Sequence, residues 1–255
     1  MTTCLGINLE RDGALLRLTL NRPKANIVDA EMIAALDKAF ADHQGLRDLK
    51  AVLVQAEGPH FSFGASVEEH LPDSCAAMLK SLHGLVVRML EYPVPILVAV
   101  QGQCLGGGLE VAMAGHQLFA TPDAGLGQPE MMLGVFAPAA SVLMPDRVGQ
   151  SRAEDLLYSG RPVSGTDALT MGLVDAVADD PSAAAMAWFD RHLIPKSASS
   201  LRLAVKAARA GYCARVIARL AEVEALYLNE LMSTRDAVEG LNAFIAKRPA
   251  KWENA

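Results

Sequence analysis

The chain has 255 residues, of which 51% are hydrophobic and 20% are charged. This length fits one large domain or one domain with an appendage, because single domains usually run to about 100–200 residues. The composition excludes a disordered chain, a collagen-like repeat and a coiled coil. The formal net charge of −6 argues against a partner nucleic acid, although a small anionic ligand could still bind at a local basic patch.

The cysteines and the N-terminus indicate the compartment. The four cysteines form no CxxC pair, and no Cys/His cluster has zinc-site spacing, so we expect free buried thiols and no metal. Free thiols are typical of a reducing cytosol. No signal peptide is visible, and the longest apolar stretch, Val94–Val100, is far shorter than the roughly 20 residues of a membrane span. We therefore predict a cytoplasmic protein with no membrane partner.

The first half of the chain alternates between apolar strands and amphipathic helices. Strands are predicted at Leu15–Leu20, Ala51–Val54 and Ile96–Val100. One helix follows an N-cap at Asp29, and a second covers Ala76–Leu90. Because the strands lack strict polar alternation, they favour a largely parallel sheet covered on both faces.

The second half is mostly helical from Ser151 onward. Helices are predicted at Ala153–Tyr158, Thr166–Met171 and Ser182–His192, followed by a long helical stretch over Leu201–Ile245. We predict an α/β core over residues 1–195 and a helical segment over residues 196–255, with boundaries accurate to several residues.

Two glycine-marked loops each stand between a strand and a helix. The first, Gly102–Glu110, contains three consecutive glycines, which let the backbone approach a ligand closely. The free N–H groups of the following helix suit an anion or oxyanion, although tight strand–helix packing explains one such run more simply. The second loop, Phe61–Val67, lacks the final glycine of a nucleophile elbow, so Ser66 is not interpreted as a nucleophile. Together the loops could supply the two N–H donors that an oxyanion needs.

Two glutamates stand close to these glycines in the sequence. Glu110 lies in the first turn after the glycine run, and Glu130 follows Pro129 ahead of the apolar run Met131–Leu133. Taken singly, each is explained by its place at a helix or turn start. A buried pair, however, would have diverging pKa values, leaving one carboxylate as base and one as acid. That arrangement suits the addition of water to a polarised double bond, with the two roles left open.

Six motifs occur over nearly the whole chain. They are Asn21–Ala25, Leu105–Glu110, Gly127–Glu130, Gly172–Asp175, Asp236–Gly240 and Ala243–Arg248. In this order they resemble the crotonase (enoyl-CoA hydratase/isomerase) superfamily. The resemblance implies an α/β fold, with a core spiral of ββα units and a C-terminal helical trimerisation region. It also implies a homo-oligomer, either a trimer or a dimer of trimers.

The resemblance further implies an acyl-CoA thioester substrate, with coenzyme A as part of the substrate and no separate cofactor. The thioester oxygen would lie between the N–H groups of Ala65 and Gly107. Hydratases of this superfamily use two glutamates, at the positions matched by Glu110 and Glu130. Isomerases and hydrolases of the same fold often lack one of them, so the pair favours a hydratase.

Further substrate and CoA contacts are implied at the first motif, the second glycine loop, an aromatic residue after Glu130 and the C-terminal motif. These residues are Lys24, Ala25, Phe63, Gly64, Ser66, Val67, Glu68, Phe136, Phe244 and Lys247. The last two would come from a neighbouring subunit. We expect Phe136 to line the acyl cavity and Met131–Leu133 to belong to the core, and we interpret His60 and His70 as solvated loop histidines.

Two segments depart from common enoyl-CoA hydratases. Ser66 stands where most relatives have Asp, and Val135–Ser141 replaces a glycine-rich run that should border the acyl pocket. The segment Phe61–His70 is similar to a subfamily of cyclohexa-1,5-diene-1-carbonyl-CoA hydratases, which add water in a 1,4 sense to give 6-hydroxycyclohex-1-ene-1-carbonyl-CoA in anaerobic benzoyl-CoA degradation. We predict this reaction. The alternatives are a general enoyl-CoA hydratase, an isomerase or thioester hydrolase, and a non-catalytic binding protein, even of RNA.

Overall fold

The computed structural model describes residues 3–255 and contains two sheets. The strands are β1 Leu5–Glu10, β2 Leu15–Leu20, β3 Ala51–Ala56, β4 Ile96–Val100, β5 Gln103–Leu105, β6 Gln117–Ala120, β7 Gly125–Gly127, β8 Val163–Ser164 and β9 Ala176–Val177. The larger sheet has the order β1-β2-β3-β4-β6-β9, and the smaller has the order β5-β7-β8. β1 and β2 are antiparallel and the other neighbours in the larger sheet are parallel, which confirms the predicted sheet type.

The helices cover both faces of the larger sheet and form the C-terminal region. They are α1 Ala30–His43, α2 Cys75–Leu90, α3 Gly107–Ala114, α4 Pro138–Val148, α5 Gln150–Ser159, α6 Gly165–Met171, α7 Pro181–His192, α8 Ala198–Asn229 and α9 Arg235–Ile245. Short 3₁₀ turns span Glu68–His70, Pro129–Leu133 and Leu231–Ser233. Within residues 3–255, no helix is long and apolar enough to cross a membrane.

The central strands β3 and β4 are largely apolar because both faces of the sheet are covered there. Val52 and Val54 of β3 pack in the main core with α1, α2 and α3, whereas Leu53 points to the opposite face. There it joins Phe119 and Phe189 in a second core under α7. All four cysteines are buried and unpaired.

A repeated ββα arrangement brings the two predicted glutamates together. β4 leads through β5 into α3, and β6 leads through β7 into the turn Pro129–Leu133. Since β5 and β7 pair in parallel, their carboxyl ends meet at one edge of the small sheet. There the Gly106 N–H donates to the Gly127 carbonyl at 3.0 Å. Glu110 lies one helical turn beyond Gly106, and Glu130 lies shortly after Gly127, so the two glutamates share one region.

The predicted helical stretch at the C-terminus is two helices. α8 ends at Asn229, and Thr234 caps α9 by accepting from the Ala237 N–H. α8 packs against α2 and α4 and buries Cys213 and Tyr227 in the main core. The helical tail of this chain thus contacts its own core, and the division at residue 195 stays a prediction.

A glycine on α9 lets this helix reach the turn that holds Glu130. A Cβ added to Gly240 would lie 2.0 Å from the Leu133 carbonyl oxygen and 2.9 Å from the Trp252 ring. We predict that Gly240→Ala lowers the free energy of unfolding by about 1–3 kcal/mol, because the backbone must move apart. Urea unfolding measures the change.

Gly211 is a matched control in α8, since an added Cβ there meets nothing within 4 Å. Gly211→Ala is expected to raise stability by roughly 0.5–1 kcal/mol, the gain of replacing glycine inside a helix. Equal effects of the two substitutions would contradict the assignment of Gly240 as a close-packing position.

Candidate active site

The two glycine loops lie against each other. A Cβ added to Gly64 would lie 3.1 Å from the Leu105 carbonyl oxygen, and one added to Gly107 would lie 3.1 Å from the Ala65 nitrogen. Within residues 3–255, neither the Ala65 N–H nor the Gly107 N–H donates a hydrogen bond. Gly107 begins α3, where the first amides have no helical acceptor. Two free N–H groups therefore lie next to one another where the loops meet.

Ser62 fixes the second loop from the inside. Its side chain is fully buried, and its hydroxyl accepts from the Gly64 N–H at 3.0 Å. A Cβ added to Gly108 would lie 2.6 Å from the Ser62 Cβ, so a larger residue there would push the loops apart. Our sequence interpretation missed Ser62, although it stands inside the Phe-Ser-Phe-Gly segment that we singled out.

The first motif supports the same loop from the outside. The Phe63 N–H donates to the Ala25 carbonyl at 2.9 Å, and the Val28 N–H donates to the Gly64 carbonyl at 2.9 Å. Asn26 is fully buried, and its amide nitrogen donates to the carbonyls of Glu57 and His60, both at 3.0 Å. Asn26 was also missed, because a lone buried Asn in a loop has no distinctive spacing.

Glu110 is almost fully buried in the first turn of α3, with 3% of its surface exposed. One carboxylate oxygen, Oε1, accepts from the Ala140 N–H at 2.8 Å. Burial raises the pKa of Glu110, while the Ala140 N–H and the nearby His83 act to lower this pKa. The carboxylate is thus removed from water but has protein groups that favour its charged form.

Glu130 lies beside Gly106. A Cβ added to Gly106 would lie 2.6 Å from Glu130 Oε1, so the missing side chain makes room for the carboxyl group. Burial and the charge of Glu110 raise the pKa of Glu130 to about 8. The buried Gln128 amide adjoins this carboxyl; with its nitrogen turned toward the group, it donates at 3.1 and 3.0 Å. A pKa of about 8 favours the protonated form of Glu130 near neutral pH, and the charge of Glu110 is one of the causes.

An aromatic pair lies next to the glutamates. Phe136 contacts Tyr227 edge-to-face, with ring centroids 5.3 Å apart. Tyr227 is fully buried, and its hydroxyl has no hydrogen-bond partner in the described part of the chain. Burial raises the pKa of Tyr227, and the charges of Glu130 and Glu110 raise it further. A buried hydroxyl of this kind is normally satisfied by a water or a ligand atom. Tyr227 was missed because it lies on α8, nearly a hundred residues beyond Glu130.

The remaining predicted substrate contacts fall in two groups. Lys24, Phe63 and Glu68 are exposed around the second loop, where the Ser66 hydroxyl donates to Glu68 at 3.1 Å and Val67 packs against the core. The second group, Phe244 and Lys247, is exposed at the end of α9. The structure does not join this second group to the two loops, and its proposed contribution to a neighbouring subunit stays a prediction.

Two interpretations of nearby residues were wrong. Met131 and Met132 are 45% and 68% exposed rather than buried, because the 3₁₀ turn directs them outward. His60 and His70 are half-buried rather than solvated. The Gln103 N–H donates to His60 Nδ1 at 3.1 Å, and His70 Nδ1 lies 2.7 Å from the Ser66 carbonyl oxygen. Both rings therefore tie the second loop to its surroundings.

No group of His, Cys, Asp and Glu within residues 3–255 has the arrangement of a metal site. The chemistry available to this region comes from two amides, two carboxyl groups and an apolar wall.

This combination of a ββα core, paired amides and paired glutamates defines a class of protein. The profile of the Enoyl-CoA hydratase/isomerase family matches residues 10–255, and the chain belongs to that family. It is 65% identical to the cyclohexa-1,5-dienecarbonyl-CoA hydratase of Thauera aromatica, over 98% of this chain and 97% of the relative. It is 31% identical to a probable enoyl-CoA hydratase of Bacillus subtilis, over 97% and 98% of the two chains.

Solved structures agree on the fold. The chain resembles an enoyl-CoA hydratase/isomerase from Pseudoalteromonas atlantica with a TM-score of 0.85 and 27% identity, covering 98% of this chain and 99% of that one. A second, from Xanthobacter autotrophicus, has a TM-score of 0.85 and 26% identity, covering 97% and 98%. The expected α/β crotonase fold with a helical C-terminal region is confirmed.

The raised pKa of Glu130 predicts a pH dependence of stability. Between its ordinary value of 4.5 and about 8, Glu130 is protonated in the folded state and ionised in the unfolded state. In this window the folded state binds more protons than the unfolded state, so the free energy of unfolding falls as pH rises. The total fall is roughly 1.4 kcal/mol for each unit by which the two pKa values of Glu130 differ. Glu130→Gln should remove this slope, measured as unfolding free energy against pH relative to the parent protein. Parallel curves would contradict the assignment.

Proposed function

We propose that this protein is a hydro-lyase that adds water to cyclohexa-1,5-diene-1-carbonyl-CoA and forms 6-hydroxycyclohex-1-ene-1-carbonyl-CoA. The observation that carries the proposal is a pair of glutamates, Glu110 buried and Glu130 half-buried, whose pKa values are both raised beside two free backbone amides. The 65% identity to the hydratase of Thauera aromatica supports the substrate. The reaction belongs to anaerobic degradation of aromatic compounds.

The two amides act on the thioester carbonyl. With the carbonyl oxygen between the N–H groups of Ala65 and Gly107, charge that develops on this oxygen meets two fixed donors. These donors lie where the loops already contact each other, so little reorganisation is needed. The ring carbons conjugated to the carbonyl thereby become electrophilic.

The two glutamates then have separate roles. Glu110 removes a proton from water, and the water oxygen forms a bond to the ring carbon β to the carbonyl. The electron pair moves through the diene to give a dienolate held by the two amides. Glu130 delivers its proton to the far end of the diene, across the ring from the new hydroxyl group. The net change is the addition of one water, with one double bond left in conjugation.

The rim of the acyl region suits a ring. The half-buried ring of Phe136 is backed by the buried ring of Tyr227, and the neighbouring residues Val135 and Ala137 are buried and apolar. A dry wall of this kind strengthens the action of the amides and carboxyl groups on the substrate.

Hydration is redox-neutral, so the proposal includes no cofactor apart from the CoA of the substrate. We further infer a homotrimer or a dimer of trimers in the cytoplasm, with Phe244 and Lys247 reaching the CoA of a neighbouring subunit. Their exposure at the end of α9 and the free cysteines support this assignment. Multi-angle light scattering gives the oligomeric mass directly.

Removing either carboxylate tests the chemistry. We predict that Glu110→Gln and Glu130→Gln each lower kcat for hydration by about 10²–10⁴-fold, because each loses one proton-transfer step. Binding of the CoA ester, measured by calorimetry, should change little. Glu57→Gln is the matched control, since Glu57 is exposed and its substitution should leave kcat unchanged.

The substrate is tested by following loss of the conjugated chromophore with cyclohexa-1,5-diene-1-carbonyl-CoA and crotonyl-CoA in parallel. We expect rapid turnover of the dienoyl thioester and, in D₂O, deuterium on the ring carbon across from the hydroxyl group. Hydration of crotonyl-CoA alone would indicate a general enoyl-CoA hydratase. Deuterium exchange without hydration would indicate an isomerase, and release of free CoA a hydrolase; either result contradicts the proposal.

A further inference from the structure

The Tyr227 hydroxyl on α8 is a buried polar group that the folded chain leaves unpaired. Tyr227 is fully buried, and its hydroxyl makes no hydrogen bond within residues 3–255. An unpaired buried hydroxyl costs free energy, and a phenylalanine would fill nearly the same space without that cost. Packing alone therefore does not explain why this position carries a tyrosine.

A second buried tyrosine shows the ordinary arrangement. Tyr92 is 1% exposed and packs edge-to-face on Phe40, with ring centroids 5.0 Å apart. Its hydroxyl donates to the Phe40 carbonyl at 3.2 Å. Tyr227 likewise packs edge-to-face on a phenylalanine, Phe136, but its hydroxyl receives no such partner. The Tyr227 hydroxyl is thus free to pair with an atom that the chain does not supply.

The segment that carries Phe136 is tied to both glutamates. The Val135 N–H donates to the Glu130 carbonyl at 3.2 Å. Further along the same segment, the Ala140 N–H donates to Glu110 Oε1 at 2.8 Å. Phe136 lies between these two hydrogen bonds, so its ring is held at the wall of the region that contains both carboxyl groups.

Tyr227 reaches this wall through direct contact with Phe136. Their ring centroids are 5.3 Å apart, and α8 packs against α4, whose first turn follows Phe136. The ionisable groups whose charges act on Tyr227 are Cys75, Glu130 and Glu110. Of these, the Cys75 thiol already donates to a backbone carbonyl. The unpaired hydroxyl therefore lies in the acyl region, near the two glutamates.

The chemistry of the substrate leaves one kind of partner for this hydroxyl. The ring of the dienoyl thioester is a hydrocarbon, and its carbonyl oxygen is assigned to the amides of Ala65 and Gly107. The one further oxygen that takes part in the reaction is that of the added water, which becomes the hydroxyl group of the product. A tyrosine hydroxyl can both donate to and accept from such an oxygen.

We propose that the Tyr227 hydroxyl binds the oxygen that is added to the ring, first as water and then as the hydroxyl group of the product. This role rests on the proposed hydratase function. Glu110 and Glu130 transfer the protons, whereas Tyr227 positions the oxygen and keeps its own proton, since burial raises its pKa. The hydrogen bond also distinguishes the hydroxylated product from the hydrocarbon ring of the substrate.

The test compares Tyr227→Phe with the parent protein in both directions of the reaction. Phenylalanine keeps the ring that packs on Phe136 and removes only the hydroxyl. In hydration, kcat should fall about tenfold with KM for the dienoyl thioester unchanged, because this substrate has no ring oxygen. In dehydration, KM for the hydroxy thioester should rise about tenfold, because the lost hydrogen bond is made to that hydroxyl group.

Tyr92→Phe is the matched control, because it removes a buried hydroxyl that the chain itself satisfies. It should lower the urea midpoint of unfolding and leave the kinetic constants unchanged. Tyr227→Phe should do the reverse, with a midpoint equal to or above that of the parent protein and with altered kinetics. A lower midpoint with unchanged kinetics would show a structural role for Tyr227 and overturn the proposal.

The remaining outcomes separate this role from the proposed function. If the parent protein hydrates crotonyl-CoA alone, Tyr227→Phe should show the same loss of kcat with that thioester, because the added oxygen is again that of water. An active parent protein whose Tyr227→Phe variant keeps its kcat, or raises KM for the substrate itself, would overturn the role alone. A parent protein that hydrates neither thioester would overturn the proposed function and this role with it.

Discussion

Two carboxyl groups in one dry space are the constraint on which the rest of the site depends. Like charges at close range cannot both ionise where water does not screen them, so one group holds a proton. Burial raises the pKa of both groups; the Ala140 amide acts against this at Glu110, whereas repulsion from Glu110 raises the pKa of Glu130 further. Any difference in pKa between the two thus arises from their surroundings, since both residues are glutamates.

The three glycines at the start of α3 matter because they have no side chains. Gly106 leaves room for the Glu130 carboxyl, Gly107 lets its own amide approach Ala65, and Gly108 accommodates Ser62. Each of three consecutive glycines is required by a different neighbour. This is why the chain places a glycine run where a strand of the small sheet turns into α3, and why the run needs no phosphate ligand to explain it.

The C-terminal helices complete the site instead of only extending the fold. α8 contributes Tyr227 beside Phe136, and α9 packs through Gly240 against the turn that holds Glu130. A substitution in α8 or α9 can therefore alter the surroundings of the two glutamates without replacing either of them. The inner face of the tail thus packs against the candidate active site of its own chain.

The sequence by itself determined the elements and the chemistry-bearing pair. Apolar strands, the Asp29 cap and the ordered motifs defined the α/β core, the glycine loops and both glutamates, because these signals are local. It did not indicate β1, which is half exposed, or the two- and three-residue strands of the small sheet, which are too short for a periodic pattern. Only the tertiary structure brought β5 and β7 together and placed His83, Gln128 and Tyr227 near the glutamates. Proton affinity depends on such long-range neighbours, so the surroundings of the two glutamates could be distinguished only in the folded chain.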